Sequence, residues 1–386
     1  MSAIAKPIQD PEPRPDPSAP PPAAGARPRL LVLTPDFPPA HGGIQVQMHR
    51  LATGIEGFRT RVLTLGTNGA ERFDATTDLE TVRVAARGHG QARIAALNAA
   101  AVSQALRFRP EVILSGHIVT SPAAAVARRM VGARVVQYFY AKEIGARPRL
   151  AAFAAGQAHM SIPISAYTAE LIAATGVSPQ TTKIPPGVDL PVDASPLPAE
   201  RPTVLTIARL EDRYKGHDVL LEALASMRER VPDVQWVVIG DGPLRGELEA
   251  LAVARGVAES VSFLGAVDDQ ERNRWLRRCQ VFTMPSRLPG AGRAGEGFGI
   301  VYLEAGAYGK PVVAGNVAGA LDAVADGVSG LLVDPADPRA LADAITRLLL
   351  DAPLAARLGA AGAERAREFA WPRVAERVQS VLLAQL

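Results

Sequence analysis

From Arg29 onward the chain alternates between two hydrophobic patterns. Short unbroken apolar runs closed by proline or glycine read as strands buried on both faces. Longer stretches in which apolar residues return every three or four positions read as helices. Arg29–Pro35 is a buried strand, and helical spacing follows over Ile44–Gly54. Thr60–Leu65, Glu111–Ser115 and Arg134–Phe139 are further strands, with helices over Thr120–Met130 and Ala166–Ala174. Six prolines from Pro185 to Pro202 break the pattern as a stiff connector. Strands then return over Val204–Ile207, Val234–Ile239, Val261–Leu264, Val281–Pro285, Pro311–Ala314 and Leu331–Val333. Gly216–Arg230 is an amphipathic helix with Val219, Leu220, Ala223, Leu224 and Met227 on one face. The chain is helical from Pro338 to its end, with a proline interruption at Trp371–Pro372.

This β-α-β order, met twice, predicts an α/β protein of two Rossmann-like, doubly wound domains facing a central cleft. Ligands are expected outside the C-terminal ends of the strands. The first domain spans residues 29–190, a linker 191–201, the second domain 202–370, and a last helix 371–386. A length of 386 residues fits two cores of roughly 150–200 residues each. Residues 1–28 carry nine prolines from Pro7 to Pro28. They read as an extended, disordered tail, with a start-site artefact as the rival explanation.

Composition narrows the function classes. Hydrophobic residues make up 48% and charged ones 21%, the balance of a soluble globular protein. The net charge is +3 without a dense Lys/Arg run, so nucleic acid is not an expected partner. A single cysteine, Cys279, excludes an internal disulfide and a Cys-built zinc site, and suits a reducing cytoplasm. The N-terminus lacks the apolar core of a signal peptide, and no apolar stretch is long enough to span a bilayer. The expected location is cytoplasmic. Arg128, Arg129, Arg147 and Arg149 are compatible with peripheral contact at the inner face of the membrane, and more simply with a solvated surface.

The strongest candidate chemistry is Glu296-Gly-Phe-Gly-Ile-Val-Tyr-Leu-Glu304. Gly297 and Gly299 let backbone approach a ligand closely, and a helix starting near Gly299 offers free N–H groups to a phosphate. Glu296 in the loop can accept from sugar hydroxyls, and Glu304 in the helix from ribose hydroxyls. Gly297, Phe298, Gly299 and Ile300 form the stretch that would touch the donor. These acids sit among apolar residues rather than on a charged face, which argues against a merely solvated loop.

Arg209 and Lys215, just past the strand Val204–Ile207, suit a diphosphate: a planar fork and a flexible point charge to offset a leaving group's negative charge. A solvated charged turn is the blander alternative. Gly42-Gly43 before a helix start can donate backbone N–H groups to a phosphate, or form a plain tight turn. His117 follows a buried strand and is expected in the cleft as a sugar contact, although a lone histidine is more often structural. No D-x-D pair occurs, so no Asp-held metal is expected; no cofactor is expected besides the nucleotide-sugar substrate.

Together these residues resemble glycosyltransferase family 4, retaining enzymes of the GT-B fold, over the chain from about Arg29 to the end. The string Glu296 to Glu304 looks like the family's E-x7-E signature. Ile207-Ala-Arg209-Leu with Lys215-Gly216 looks like its diphosphate-binding pair, and Gly240-Asp-Gly-Pro243 and Phe263-Leu-Gly265 match its usual turns. The segment from Gly315 to Gly330 looks like its donor-side loop. Asp36-Phe-Pro-Pro39, Gly42-Gly-Ile-Gln45 and Met284-Pro-Ser-Arg287 are similar to the bacterial phosphatidylinositol mannosyltransferases.

The resemblance implies metal-independent transfer of mannose from GDP-mannose to an acceptor hydroxyl of a cell-envelope lipid or glycan, with retention. It implies Gly43 near the phosphates, His117 near the sugar, Glu296 near the transferred carbon, Glu304 on the ribose, and Arg209 and Lys215 on the diphosphate. Two departures stand out. The Arg-to-Lys spacing of six is one longer than the commonest family form, and Gln137 to Ser161, on the acceptor side, is unlike the lipid mannosyltransferases. The rival readings are a UDP- or dTDP-sugar donor with a glycan or small natural product as acceptor, a nucleotide-sugar epimerase, and a non-catalytic sugar-nucleotide-binding protein.

Overall fold

The computed structural model describes residues 27–40, 42–85, 90–290 and 295–386. The Pro-rich tail, up to residue 26, and His41 lie outside the described residues.

The first lobe runs β1 (Arg29–Leu33), α1 (Gly43–Gly54), β2 (Arg59–Leu65), α2 (Ala70–Asp74), β3 (Glu80–Val84), α3 (Gln91–Phe108), β4 (Val112–Ser115), α4 (Ser121–Val131), β5 (Arg134–Phe139), α5 (Ala141–Ala146), α6 (Pro148–Gln157), β6 (Met160–Pro163) and α7 (Ala166–Ala173). Its six strands are ordered β3-β2-β1-β4-β5-β6 and pair in parallel throughout. The direction of winding reverses between β1 and β4, and this opens a crevice at the C-terminal strand ends.

The second lobe runs β7 (Thr203–Ile207), α8 (His217–Arg230), β8 (Gln235–Ile239), α9 (Arg245–Ala254), β9 (Val261–Gly265), α10 (Asp269–Arg278), β10 (Val281–Met284), α11 (Ile300–Ala307), β11 (Val312–Gly315), α12 (Ala320–Ala323), β12 (Gly330–Val333), α13 (Pro338–Leu350), α14 (Ala352–Glu368) and α15 (Trp371–Leu383). Its sheet, ordered β12-β11-β10-β7-β8-β9, repeats the first in form, with its reversal between β7 and β10. Two doubly wound lobes facing each other are the expected GT-B architecture.

The central strands are wholly buried because helices cover both faces; Leu30, Leu31 and Leu33 of β1 have no exposed surface. That is why they read as unbroken apolar runs. The chain crosses between the lobes twice, and the crossings touch: the Val188 N–H donates to Phe369 O at 2.9 Å. α15 then lies on α1, with Ala375 against Gly54 and the Gly57 N–H donating to Gln379 Oε1 at 2.7 Å. Trp371, Val374, Ala375, Val378 and Leu382 form its buried stripe. At about 1.5–3 kcal/mol for each large apolar side chain buried, this strap is strongly held.

Several elements differ from expectation. β3, β6, α3, α5 and α6 carried no clear periodic signal. The helix expected from Pro338 is three helices. Asp351 starts α14 by accepting from the Leu354 N–H at 3.0 Å. Pro372 begins α15 rather than interrupting a helix, because the first turn needs no N–H there.

Candidate active site

The N-termini of α1 and α11 meet across the cleft. A Cβ built on Gly43 would lie 3.6 Å from Ile300 Cδ1. The N–H groups of each first turn have no acceptor within their own helix, so both helices bring partial positive charge to this gap.

The loop entering α11 is fixed at several points. Gly299 is left-handed at φ +85°, and a Cβ there would also overlap the Tyr302 ring. The Tyr302 hydroxyl donates to Met284 O at 2.7 Å. Phe298 is buried with its ring 5.8 Å from that of Phe369. Phe298 therefore anchors the loop, and only its backbone is available to a ligand. The Gly319 N–H donates to Glu296 O at 3.0 Å, and any side chain at 319 would overlap the Gly297 carbonyl.

The first lobe holds the same loop from the other side. The Gly295 N–H donates to the Tyr167 hydroxyl at 3.0 Å, and Gly297 packs on Ala141 and Ile164. Asp322 bridges the lobes too, accepting from the Ala166 N–H at 2.7 Å and from Lys183 Nζ at 2.6 Å. Lys142 Nζ reaches Asp212 at 3.3 Å.

Two of the expected site residues are directly paired: Lys215 Nζ with the Glu296 carboxylate, both mostly buried. Lys215 closes a single 3-10 turn, and its Nζ stands 5.2 Å from the Tyr214 ring centroid. Burial raises the Tyr214 pKa, and the neighbouring Glu296 and Asp212 charges raise it further, so the phenol is neutral. Arg209 is not gathered into this pair. Its side chain is 73% exposed and meets Glu211 at 3.2 Å. The turn bearing it is held by backbone, with the Leu210 N–H donating to Asp241 O at 2.9 Å. Glu304 is likewise engaged elsewhere, with Arg272 of α10 at 2.5 Å.

His117 follows β4 and stands at the first lobe's edge of the cleft. Its Nδ1 is 2.9 Å from Glu143 Oε2. Glu143 is buried and also accepts from the Ile118 and Tyr140 N–H groups, each at 3.1 Å. Burial by itself lowers the His117 pKa. The Glu143 charge and hydrogen bond, with the Asp36 charge, outweigh burial and raise it above the ordinary value, while Arg147 opposes. Burial also raises the pKa of Asp36, against the pull of His117. Asp36 accepts from Gln45 Nε2 at 3.0 Å.

Sequence reasoning did not single out Asp36, Glu143, Tyr167, Arg272 or Gly319 as site residues. Asp36 and Gly319 lay within strings that carried the resemblance. The other three had no signal, because each acts on a residue distant in the chain.

Comparison with known proteins bears on the family and the fold. The family description "Glycosyl transferases group 1" matches residues 192–365. The chain is 34% identical over 380 residues to a GDP-mannose-dependent alpha-(1-6)-phosphatidylinositol monomannoside mannosyltransferase of Mycobacterium tuberculosis. That match covers 92% of this chain and 98% of the relative. It is 29% identical to a GDP-mannose-dependent monoacylated alpha-(1-6)-phosphatidylinositol monomannoside mannosyltransferase of Corynebacterium glutamicum, again over 92% and 98%. Among solved structures, sucrose-phosphate synthase from Thermosynechococcus elongatus superposes with a TM-score of 0.77 at 22% identity, over 93% of this chain and 98% of that one. Anabaena Alr3699/HepE in complex with UDP superposes with a TM-score of 0.77 at 21% identity, over 92% and 100%. These two likenesses concern the fold.

Proposed function

We infer the reaction from the family: the chain belongs to the group 1 glycosyl transferases and is a glycosyltransferase, and we propose that it moves mannose from GDP-mannose to a hydroxyl of a phosphatidylinositol-type lipid. One observation carries this reading. The likeness to GDP-mannose-dependent mannosyltransferases runs through 92% of the chain, acceptor-side lobe included. The D-inositol 3-phosphate glycosyltransferases match over only about half of it, for example 48% for that of Corynebacterium diphtheriae.

In this reading the diphosphate lies between the N-termini of α1 and α11, where Gly43, Gly297, Phe298, Gly299 and Ile300 offer backbone. Lys215 and Arg209 offset the charge that develops on the leaving phosphate, without a metal or other cofactor. Arg209 reaches the diphosphate by leaving its exposed partner Glu211, a small cost for a surface pair. Glu296 accepts from sugar hydroxyls and Glu304 from the ribose. His117 contacts the sugar, with Asp36 and Glu143 behind it. The acceptor hydroxyl attacks the face the diphosphate leaves, and the departing phosphate takes its proton, so the alpha configuration is retained. Closure of the lobes excludes water that would otherwise hydrolyse the activated sugar.

A lipid acceptor places the protein at the inner face of the cytoplasmic membrane as a peripheral enzyme. Among the described residues no helix is long and apolar enough to cross a membrane.

The test is transfer with purified protein, phosphatidylinositol monomannoside and either GDP-mannose or UDP-glucose. The expected outcome is a dimannosylated lipid with GDP-mannose alone. Turnover of UDP-glucose in preference would overturn the mannose assignment. Conversion of a donor with no acceptor present would point to an epimerase.

A further inference from the structure

Two arginines of α10 bind different parts of the molecule. Arg277, in the last turn, clasps the linker. Its Nη2 pairs with Asp193 at 2.8 Å, and its Nε donates to Ser195 O at 2.8 Å. Its carbonyl accepts from the Leu197 N–H at 3.0 Å and from Lys310 Nζ at 2.9 Å. At the other end Asp268 caps the helix, accepting from the Glu271 N–H at 2.8 Å. Leu276 between them is wholly buried. A helix held at both ends and by its core residue has little freedom to slide or turn.

Arg272 projects from this fixed base. It lies in the first turn, its N–H donating to Asp268 O at 2.9 Å, just beyond the C-terminal end of β9, the side of the sheet where ligands bind. Its Nη2 reaches across to α11 and stands 2.5 Å from Glu304 Oε2. Among the described residues Glu304 has no other cation and no hydrogen-bond donor within reach. The two side chains are 24% and 27% exposed, so the pair is open to a ligand without being free in solvent. Glu304 follows Ile300 by four residues, on the same face of α11 and roughly 6 Å further from the helix start. With a diphosphate at that start, the next group of a nucleotide to meet this face is its ribose.

We propose that Arg272 is a positioning residue for the donor's ribose: it holds Glu304 in the conformer that accepts the ribose hydroxyls, and thereby makes the site select ribonucleotide over deoxyribonucleotide donors. The proposal rests on the ribose role given to Glu304 above. Arg272 engages one carboxylate oxygen, and a carboxylate has lone pairs enough for the hydroxyls at the other. Two effects follow. A glutamate without its partner must be ordered when the nucleotide arrives, at a cost of up to about tenfold in affinity. It would also set a bare negative charge about one helix turn from the diphosphate, a repulsion that the guanidinium offsets.

The experiment is calorimetric titration of the full chain with GDP and 2′-deoxy-GDP, and with UDP and 2′-deoxy-UDP, so that it decides the role of Arg272 whichever base the protein takes. The parent should prefer the ribonucleotide by about tenfold or more, since a site that accepts from a hydroxyl rejects the analogue lacking it. Arg272→Gln should weaken the ribonucleotide about tenfold and the deoxynucleotide much less, so that the preference collapses. Arg272→Lys, which keeps the charge without the planar fork, should recover part of it. In turnover the loss should appear in donor KM rather than in kcat. The Arg272→Gln/Glu304→Ala double variant should bind the ribonucleotide about as well as Glu304→Ala alone. Equal weakening of both nucleotides by Arg272→Gln, or additive losses in the double variant, would overturn the positioning role. If Glu304→Ala abolishes the ribose preference and Arg272→Gln does not, that role fails alone and Glu304 keeps the ribose. If Glu304→Ala leaves the preference intact, the ribose reading fails and the role of Arg272 falls with it.

Discussion

His117 Nδ1 stands 2.9 Å from Glu143 Oε2, and the Val119 backbone N–H is directed at the same nitrogen from 3.1 Å. A ring nitrogen has one in-plane bonding direction, so in the protonated imidazole Nδ1 donates to Glu143 and the Val119 N–H gives up its bond there. Glu143 cannot turn away, because its carboxylate is buried and bonded to two backbone N–H groups. The pair therefore fixes the ring and leaves Nε2 for the cleft, as buried carboxylates do for other working imidazoles.

Glu143→Gln keeps the shape and removes the charge. Burial then governs His117, and its pKa should fall from above the ordinary value to below it. Since Glu143 raises the folded-state pKa, its stabilising effect is present below the unfolded value and lost as pH rises through the folded one. The variant lacks that stabilisation at low pH. We expect kcat at neutral pH to drop about tenfold with donor KM nearly unchanged, and the limb of the pH–rate profile set by His117 to move to lower pH. NMR titration of the His117 ring checks the cause directly. An unmoved midpoint would show that Glu143 is only part of the packing.

The Lys215–Glu296 pair makes a different prediction. Glu296→Ala should lower kcat by about a hundredfold or more, the scale of losing one preorganised transition-state contact. The Gly297–Gly299 loop is held by Gly319, Tyr302 and Phe298 rather than by the Glu296 side chain. The loop should therefore stay in place and nucleotide binding should survive, with the melting temperature lowered only through the loss of Lys215's partner. A variant with near-normal turnover would remove Glu296 from the site.

What could be read in the sequence follows from what burial does to local pattern. β1, β2, β4 and β5 lie inside a two-faced sheet, so their boundaries were legible to within about two residues. β3 is an edge strand whose Glu80 and Arg83 take part in ion pairs, and this breaks the apolar run. β6 reads Met-Ser-Ile-Pro, with a buried serine and proline where an apolar run was sought. α3 turns Leu97, Ala101, Ala105 and Phe108 to the core, and alanine gives little hydrophobic contrast. The donor-side motif was legible because one short segment holds both acids and both glycines. Glu143 was not, since its meaning depends on the end of β4 arriving beside α5, a relation of three dimensions with no local trace.

Acid stability should report on His217. The ring is buried at the start of α8, 6.2 Å from that of Trp236. Burial foremost, and then Lys215, push its pKa down to about 4, against Asp218. The folded chain refuses a proton that the unfolded chain accepts below about pH 6.5, so stability falls with acidification by up to ~1.4 kcal/mol per pH unit in that window. His217→Phe should remove this component. Between pH 7 and 5, the loss in unfolding free energy measured with urea should shrink by on the order of 2 kcal/mol. The same slope in parent and variant would assign the acid sensitivity to other groups, among which burial also depresses His49 and His159.

Asp322 tests whether the two lobes are held in register by a few polar contacts. Its carboxylate is 10% exposed and takes the Ala166 N–H at the first position of α7 together with Lys183 Nζ. Both donors come from the first lobe, while Asp322 itself belongs to α12, whose preceding glycine supports the Glu296 loop. Asp322→Ala removes the acceptor of the exposed Ala166 N–H and frees Lys183, a change worth about 1 kcal/mol. The cost should fall on the relation between the lobes rather than on either core. We expect donor nucleotide to bind nearly as before, kcat to fall severalfold, and small-angle scattering to show a larger radius of gyration. Asp322→Asn, which can still accept from Ala166, should fall between the two. Scattering and kcat identical to the parent would mean that the strap formed by α15 on α1 sets the lobe arrangement without help from Asp322.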